Sequence, residues 1–154
     1  MASSLKSSAS SDRSYSRGEI IHRDRAAQLR DYTEMRYGTI TPTDIDGLIE
    51  YRDLAYVIYE FKLEGRDLPK GQRLALERLC DDLATAGKVA VVLVGSHRTP
   101  IGQDIACANV YVDEYRHNGQ WHTPRFPPPT LREATDEWLD FAGSRDKMGS
   151  EPPA

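Results

Sequence analysis

The sequence predicts a mixed α/β domain in the order α-β-β-β-α-β-β-α, a central sheet flanked by helices, with residues 39–50 counted as one or two strands. Three observations predict it. Lys88-Val-Ala-Val-Val-Leu-Val94 is a near-continuous apolar run, the pattern of a strand buried on both faces. Residues 70–86 place Leu76, Leu79, Cys80 and Leu83 on one helical stripe before it, and a strand ending in Glu60-Phe61-Lys62 before that. Strand, helix and buried strand in succession make a parallel crossover unit. Third, Thr130-x-x-Glu133 is a capping box that opens a C-terminal helix.

The elements follow in order. Residues 1–16 are Ser-rich and lack an apolar segment, so they are expected to be disordered and to be no secretory signal. A helix is expected over 18–36, with sparse apolar positions at Ile20, Ile21, Ala26, Ala27, Leu29 and Met35, and Gly38 as its stop. A hairpin spans 39–63, then comes a loop at 65–69 and the second helix, which ends at Gly87. Residues 104–116 read as another strand, and Asn118-Gly119 as a tight turn into Trp121. Pro127-Pro128-Pro129 breaks the pattern before the last helix, whose inward face is Leu131, Ala134, Trp138 and Phe141. The expected organisation is a single domain over 17–142 and a disordered tail over 143–154.

At 154 residues the chain can bury a stable core. No run of 18 apolar residues occurs, so no membrane helix is expected. Two cysteines form neither a disulfide framework nor a zinc cluster. Cys80 and Cys107 both sit in apolar patterns and read as reduced core thiols, which points to the cytoplasm. The formal net charge of -4 argues against tight, non-specific binding to nucleic acid.

The charged residues of the 39–63 hairpin need a reason. Glu60 and Lys62 share one face of a strand otherwise made of Leu54, Ala55, Tyr56, Val57, Ile58 and Tyr59. Burying charge is costly unless it is paired or metal-bound. A three-residue loop at Arg52–Leu54 sets Tyr51 opposite Ala55, Asp46 opposite Glu60 and Asp44 opposite Lys62, which puts the four charged residues on one patch. A two-residue loop shifts the register by one and separates Asp46 from Glu60. The patch suggests a divalent-metal site with a lysine beside it; the competing reading is a surface ion-pair cluster.

Asp46, thirteen residues, then Glu60-Phe61-Lys62 resembles the PD-(D/E)xK nuclease superfamily, which includes Holliday-junction resolvases and many restriction endonucleases. The likeness covers about residues 18–96. It implies a restriction-endonuclease-like core, α-β-β-β-α-β, with the C-terminal hairpin and helix added. It also implies that Asp46, Glu60 and the Phe61 backbone carbonyl bind Mg2+ or Mn2+, and that Lys62 orients the attacking water. Gln72, on the buried stripe of the second helix, falls where some members place a catalytic Gln or Lys. Asp44 is either a supporting acid or the ligand in place of Asp46. Glu19, ahead of Glu34, matches a first-helix carboxylate that reaches the metal in many members. Arg66, Lys70 and Arg73 are candidate phosphate contacts; ordinary solvated helix-start charges are the other reading.

The expected function is therefore metal-dependent hydrolysis of DNA by a structure-specific endonuclease of recombination, repair or phage-type DNA processing, acting as a homodimer. The alternative is a catalytically inactive nuclease-fold protein that binds nucleic acid or protein.

Overall fold

The computed structural model describes residues 20–147. Glu19, the Ser-rich stretch 1–16 and residues 148–154 lie outside the described residues. The chain divides into two units, one ending at Pro42 and the other beginning at Thr43.

In the first unit the expected helix is reduced to one turn, α1 (Arg23–Ala26), with no buried residue. The rest of 20–42 is irregular, with short turns. Asp31 Oδ1 accepts from the Thr33 N–H at 2.9 Å, and Tyr37 bridges Ile40 around Gly38 at φ 67°. The physical reason lies in the sparse apolar positions. Isolated helices of this length are marginal in water without an apolar face to bury, and Leu29 is 97% exposed.

The second unit holds one five-stranded sheet in the order β1 (Gly47–Tyr51), β2 (Ala55–Leu63), β3 (Val89–His97), β4 (Tyr111–His117), β5 (Gln120–His122). β2 and β3 are parallel, joined through α2 (Lys70–Thr85); the other pairs are antiparallel. Alternation along β2 and β3 sends one set of side chains to each face. Val57, Val91 and Leu93 pack with Val112 and with Leu131, Ala134, Trp138 and Phe141 of α3 (Leu131–Arg145). Ile58, Ala90, Val92 and Val94 pack with Leu76 and Cys80 of α2. The run 89–94 is thus buried on both faces, as its composition requires.

The termini of the elements follow their sequence signals. Thr130 and Glu133 form the reciprocal capping box of α3. Asn118 and Gly119 both take positive φ (49° and 74°), the conformation of a two-residue primed turn. α3 continues to Arg145, three residues into the expected tail.

Two expectations at the C-terminal half are corrected. Residues 104–110 are not strand. They form a loop, exposed over 104–109 and buried at Val110, with a short 3-10 turn at Cys107–Asn109, and β4 starts only at Tyr111. Cys107 consequently is exposed, while Cys80 is buried as expected. The apolar letters of Ile105, Ala106 and Ala108 mimic a strand but face no core.

A register shift between Val94 and Gly95 leaves Asp113 of β4 without a partner residue, a β-bulge. Gly95 sits against it: a Cβ there would lie 2.6 Å from Val110 Cγ1 and 3.0 Å from the Tyr111 carbonyl oxygen. Gly95→Ala should cost about 1–3 kcal/mol by overpacking. The measurement is the urea midpoint at unchanged slope; a midpoint equal to wild type refutes the close approach.

Candidate functional site

The site begins with the turn between β1 and β2. Arg52 and Asp53 both take positive φ (52° and 60°), and Leu54 N–H closes the turn on the Tyr51 carbonyl at 2.8 Å. The Lys88 ammonium donates to the Asp53 carbonyl at 2.6 Å, and the Glu50 carboxylate accepts from the Asp53 N–H at 2.5 Å. The loop is the odd one, Arg52–Leu54. The ladder runs Tyr51↔Ala55, Glu50↔Tyr56, Ile49↔Val57, Leu48↔Ile58 and Gly47↔Tyr59. One step further along that register, Asp46 meets Glu60.

β1 stops at Gly47 because Asp46 replaces the main chain there. In this register Phe61 N–H would bond to the chain at position 45; instead it donates to Asp46 Oδ2 at 2.8 Å. The N–H and C=O of one strand residue point to the same neighbour. The Phe61 carbonyl therefore turns toward this same open edge, beside Asp46.

Glu60 is on the opposite footing. Asp46 is exposed, whereas Glu60 is only 5% exposed. Gln72, in the first turn of α2, donates from Nε2 to Glu60 Oε1 at 2.7 Å and to the Asp44 carbonyl at 3.3 Å. Glu60 Oε2 is buried with no hydrogen-bond partner among the described residues. Burial, and then the negative charge of Asp46, push the Glu60 carboxyl up to about 7; the Gln72 bond opposes them, and Asp44 adds a smaller push. A buried carboxylate next to a second one is an electrostatic debt that either a proton or a cation can settle.

Lys62 lies two residues along β2, on the face of Glu60. Its ammonium approaches Asp113 Oδ2 at 3.9 Å. The bulge accounts for this contact. Glu114 meets Arg73 of α2, while Val112 packs on the α3 side, so the two are on opposite faces. The extra residue between them is what allows Asp113 to reach the Lys62 side. Asp113 was not among the sequence candidates, and no local signal in Tyr111–His117 marks a bulge.

The remaining candidates separate. Arg73 is committed to β4: it forms a two-point pair with Glu114 at 2.8 and 3.0 Å and lies over the Trp121 ring at 4.1 Å. In the structure this residue ties α2 to the sheet. Arg66 and Lys70 are exposed before and at the start of α2. Asp44 stands outside the ladder, acting on Glu60 through its charge and binding Gln72 through its backbone.

The donor set is all oxygen, which suits a hard divalent cation. No group of three or more His, Cys, Asp or Glu side chains placed to hold an ion occurs among the described residues. Two carboxylates and a carbonyl are nonetheless what magnesium takes when waters and substrate phosphates complete its shell. The orphaned Glu60 Oε2 fits such a group.

Among the described residues no helix is long and apolar enough to cross a membrane. Comparison of the chain with models of known families, with curated proteins and with solved structures gives no match.

The raised Glu60 carboxyl has a definite effect on stability. In the unfolded chain the group releases its proton near 4.5; in the folded protein it keeps it to about 7. The folded state binds more protons across that window, so its stability falls as pH rises through it, and the full cost stands above about pH 7. Glu60→Gln removes the cost. With chelator present, its melting temperature should exceed wild type at pH 8 and approach wild type near pH 4.5. A pH-independent offset between the two proteins contradicts the assignment.

Proposed function

We propose that this protein is a divalent-metal-dependent nuclease with a restriction-endonuclease-like core of the PD-(D/E)xK type, hydrolysing phosphodiester bonds of DNA. The observation that carries the reading is the buried Glu60 carboxylate with a free Oε2, held by Gln72 beside the exposed Asp46, with Lys62 on the same face. A solvated surface ion-pair cluster would not bury one carboxylate beside a second.

Asp46, Glu60 and the Phe61 carbonyl hold the ion. Bound there, Mg2+ or Mn2+ supplies Lewis acidity that lowers the pKa of an attacking water and offsets charge on the phosphate. Gln72 fixes Glu60 Oε1 and so leaves Oε2 for the ion. Lys62 positions the water and stabilises the extra negative charge of the pentacovalent phosphate. Asp113 holds Lys62 against the sheet. Arg66, Lys70 and Arg73 are the phosphate contacts. The protein acts in the cytoplasm as a homodimer, on branched or nicked DNA.

One observation favours a second reading, a nuclease fold kept as a binding module. The chain is net acidic, and Arg73 and Lys62 both face carboxylates. Incubation with branched, single-stranded and duplex DNA, with and without Mg2+ or Mn2+, separates the two. Metal-dependent cutting is expected; none with either metal leaves the binding module.

Two substitutions test the division of labour. Lys62→Ala should retain metal affinity and lose cleavage by about a hundredfold or more, the scale on which a single stabiliser of transition-state charge acts. Asp46→Asn keeps an acceptor for Phe61 N–H but loses the charge, so it should lose both metal binding and cleavage. Calorimetric titration with Mg2+ beside a cleavage assay reads both; wild-type cleavage by Lys62→Ala refutes its role.

A second outcome follows from Glu60. Because the ion replaces its proton, Mg2+ binding should release up to one proton below about pH 7 and weaken as pH falls. The check is titration in buffers of different ionisation enthalpy. Affinity that is flat from pH 8 to pH 5.5 removes Glu60 from the metal shell.

A further inference from the structure

A cleft of about 340 Å3 lies on the other face of the sheet and shares Asp46 with the site just described. That volume is at the lower end of small-molecule sites, about 300–1,000 Å3. Its walls are Ile49 of β1, Tyr59 and Phe61 of β2, and Leu131 of α3. Arg132 and Cys107 also line it.

The walls are firm. The Tyr59 hydroxyl pairs with Thr135 Oγ1 at 2.7 Å, and Thr135 Oγ1 donates to the Leu131 carbonyl at 2.6 Å. Thr135 has one proton to give, so Tyr59 is the donor of the first bond. Gly47 lets the Tyr59 ring lie against the backbone, since a Cβ at 47 would stand 2.9 Å from Tyr59 Cδ2. The ring is therefore fixed at both ends.

We propose that this cleft receives an unpaired nucleobase of the DNA strand whose phosphate is bound at Asp46 and Glu60, an inference that rests on the nuclease reading. Three observations lead there. The cleft and the carboxylate pair share Asp46, at the open edge where β1 ends. Its walls are apolar and aromatic, the surface on which bases of any sequence stack. The chain is net acidic, so affinity cannot come from many phosphate contacts, and stacking supplies it without cationic side chains. Arg132 at the rim forms an exposed pair with Asp136, which a flanking phosphate can displace.

A stacked base in a duplex cannot enter such a cleft; an unpaired one at a flap, gap or junction can. The substrate class is thus DNA with an unpaired nucleotide beside the cut, selected by access and not by base identity.

The test reads binding without cleavage. Fluorescent oligothymidylate, an abasic strand of equal length and a duplex are titrated into the full chain in chelator and again with Ca2+. Cys107, the exposed one of two cysteines, reports occupancy through its rate of alkylation. Oligothymidylate should bind and slow alkylation; the abasic strand and the duplex should bind about tenfold more weakly or worse and leave the rate unchanged. Ala108→Phe, in the exposed rim loop, fills the mouth and should bring oligothymidylate down to the abasic level. Equal behaviour of the oligothymidylate and abasic strands, protection by duplex, wild-type affinity in Ala108→Phe, or no binding at all overturns the proposal. Base-dependent protection in a protein that cuts no DNA with Mg2+ or Mn2+ retires the nuclease reading and leaves the base cleft. Metal-dependent cutting without base-dependent protection does the reverse.

Discussion

The length of one loop sets the position of every group at the candidate site. With three residues at Arg52–Leu54, β1 pairs with β2 so that Asp46 runs into Glu60. With two, the whole set of β1 side chains changes face. The odd loop carries its own cost, because Arg52 and Asp53 both adopt positive φ without being glycine. Glu50 and Lys88 offset that cost by bonding the Asp53 N–H, carbonyl and carboxylate. Lys88 stands at the entry to β3, so the parallel crossover and the hairpin register are tied through the same residue. A change at that turn is thus expressed at the far end of the hairpin, where the acids are.

The second constraint is Glu60 itself. Its burial follows from the fold: it sits on the interior strand β2 under the start of α2, where neighbours to either side are Val94 and the end of β1. An apolar residue would fit that row without penalty. A carboxylate there is held by a single bond from Gln72, and its other oxygen is unpartnered. The raised proton affinity is the direct measure of that arrangement. Structures keep such costs where the group has work to do with a ligand, since replacing the pair with packed hydrocarbon is generally no less stable.

How much of this was legible depends on whether the signal was local. α2, β3, the α3 capping box and the Asn118-Gly119 turn each announce themselves within a few residues, and the structure places them as expected. The hairpin register was legible as a choice between two loops, and strand alternation then fixed which residues shared a face. The first helix was misread because periodicity without enough apolar surface does not hold a helix. Cys107 was misread because Ile105, Ala106 and Ala108 look like strand in composition but are exposed. The engagement of Arg73 by Glu114, 41 positions away, is long-range and has no local signature. The resemblance drew on the spacing of Asp46 and Glu60-Phe61-Lys62 and on the order of the elements around them; what the structure adds is the convergence of Asp46, Glu60 and Gln72.

The bulge at Asp113 shows why irregular backbone gathers at this end of the sheet. A regular β4 would carry the alternation of Glu114, Tyr115 and Arg116 one step further and direct Asp113 to the α3 side, among Val110, Val112 and Leu131. An unpaired carboxylate in that core is costly. The extra residue turns it toward Lys62 instead and returns Val112 to the apolar layer. Gly95 makes room for the crowding that results, with Val110 and the Tyr111 carbonyl pressed against the position a side chain would take. On β1 the ladder ends for a related reason, because the Asp46 side chain takes the Phe61 N–H. Both irregularities leave polar groups directed away from the ladder and toward the Glu60–Lys62 face or its edge. A fully regular sheet would have paired those groups with itself and left no open edge beside Asp46 and Glu60.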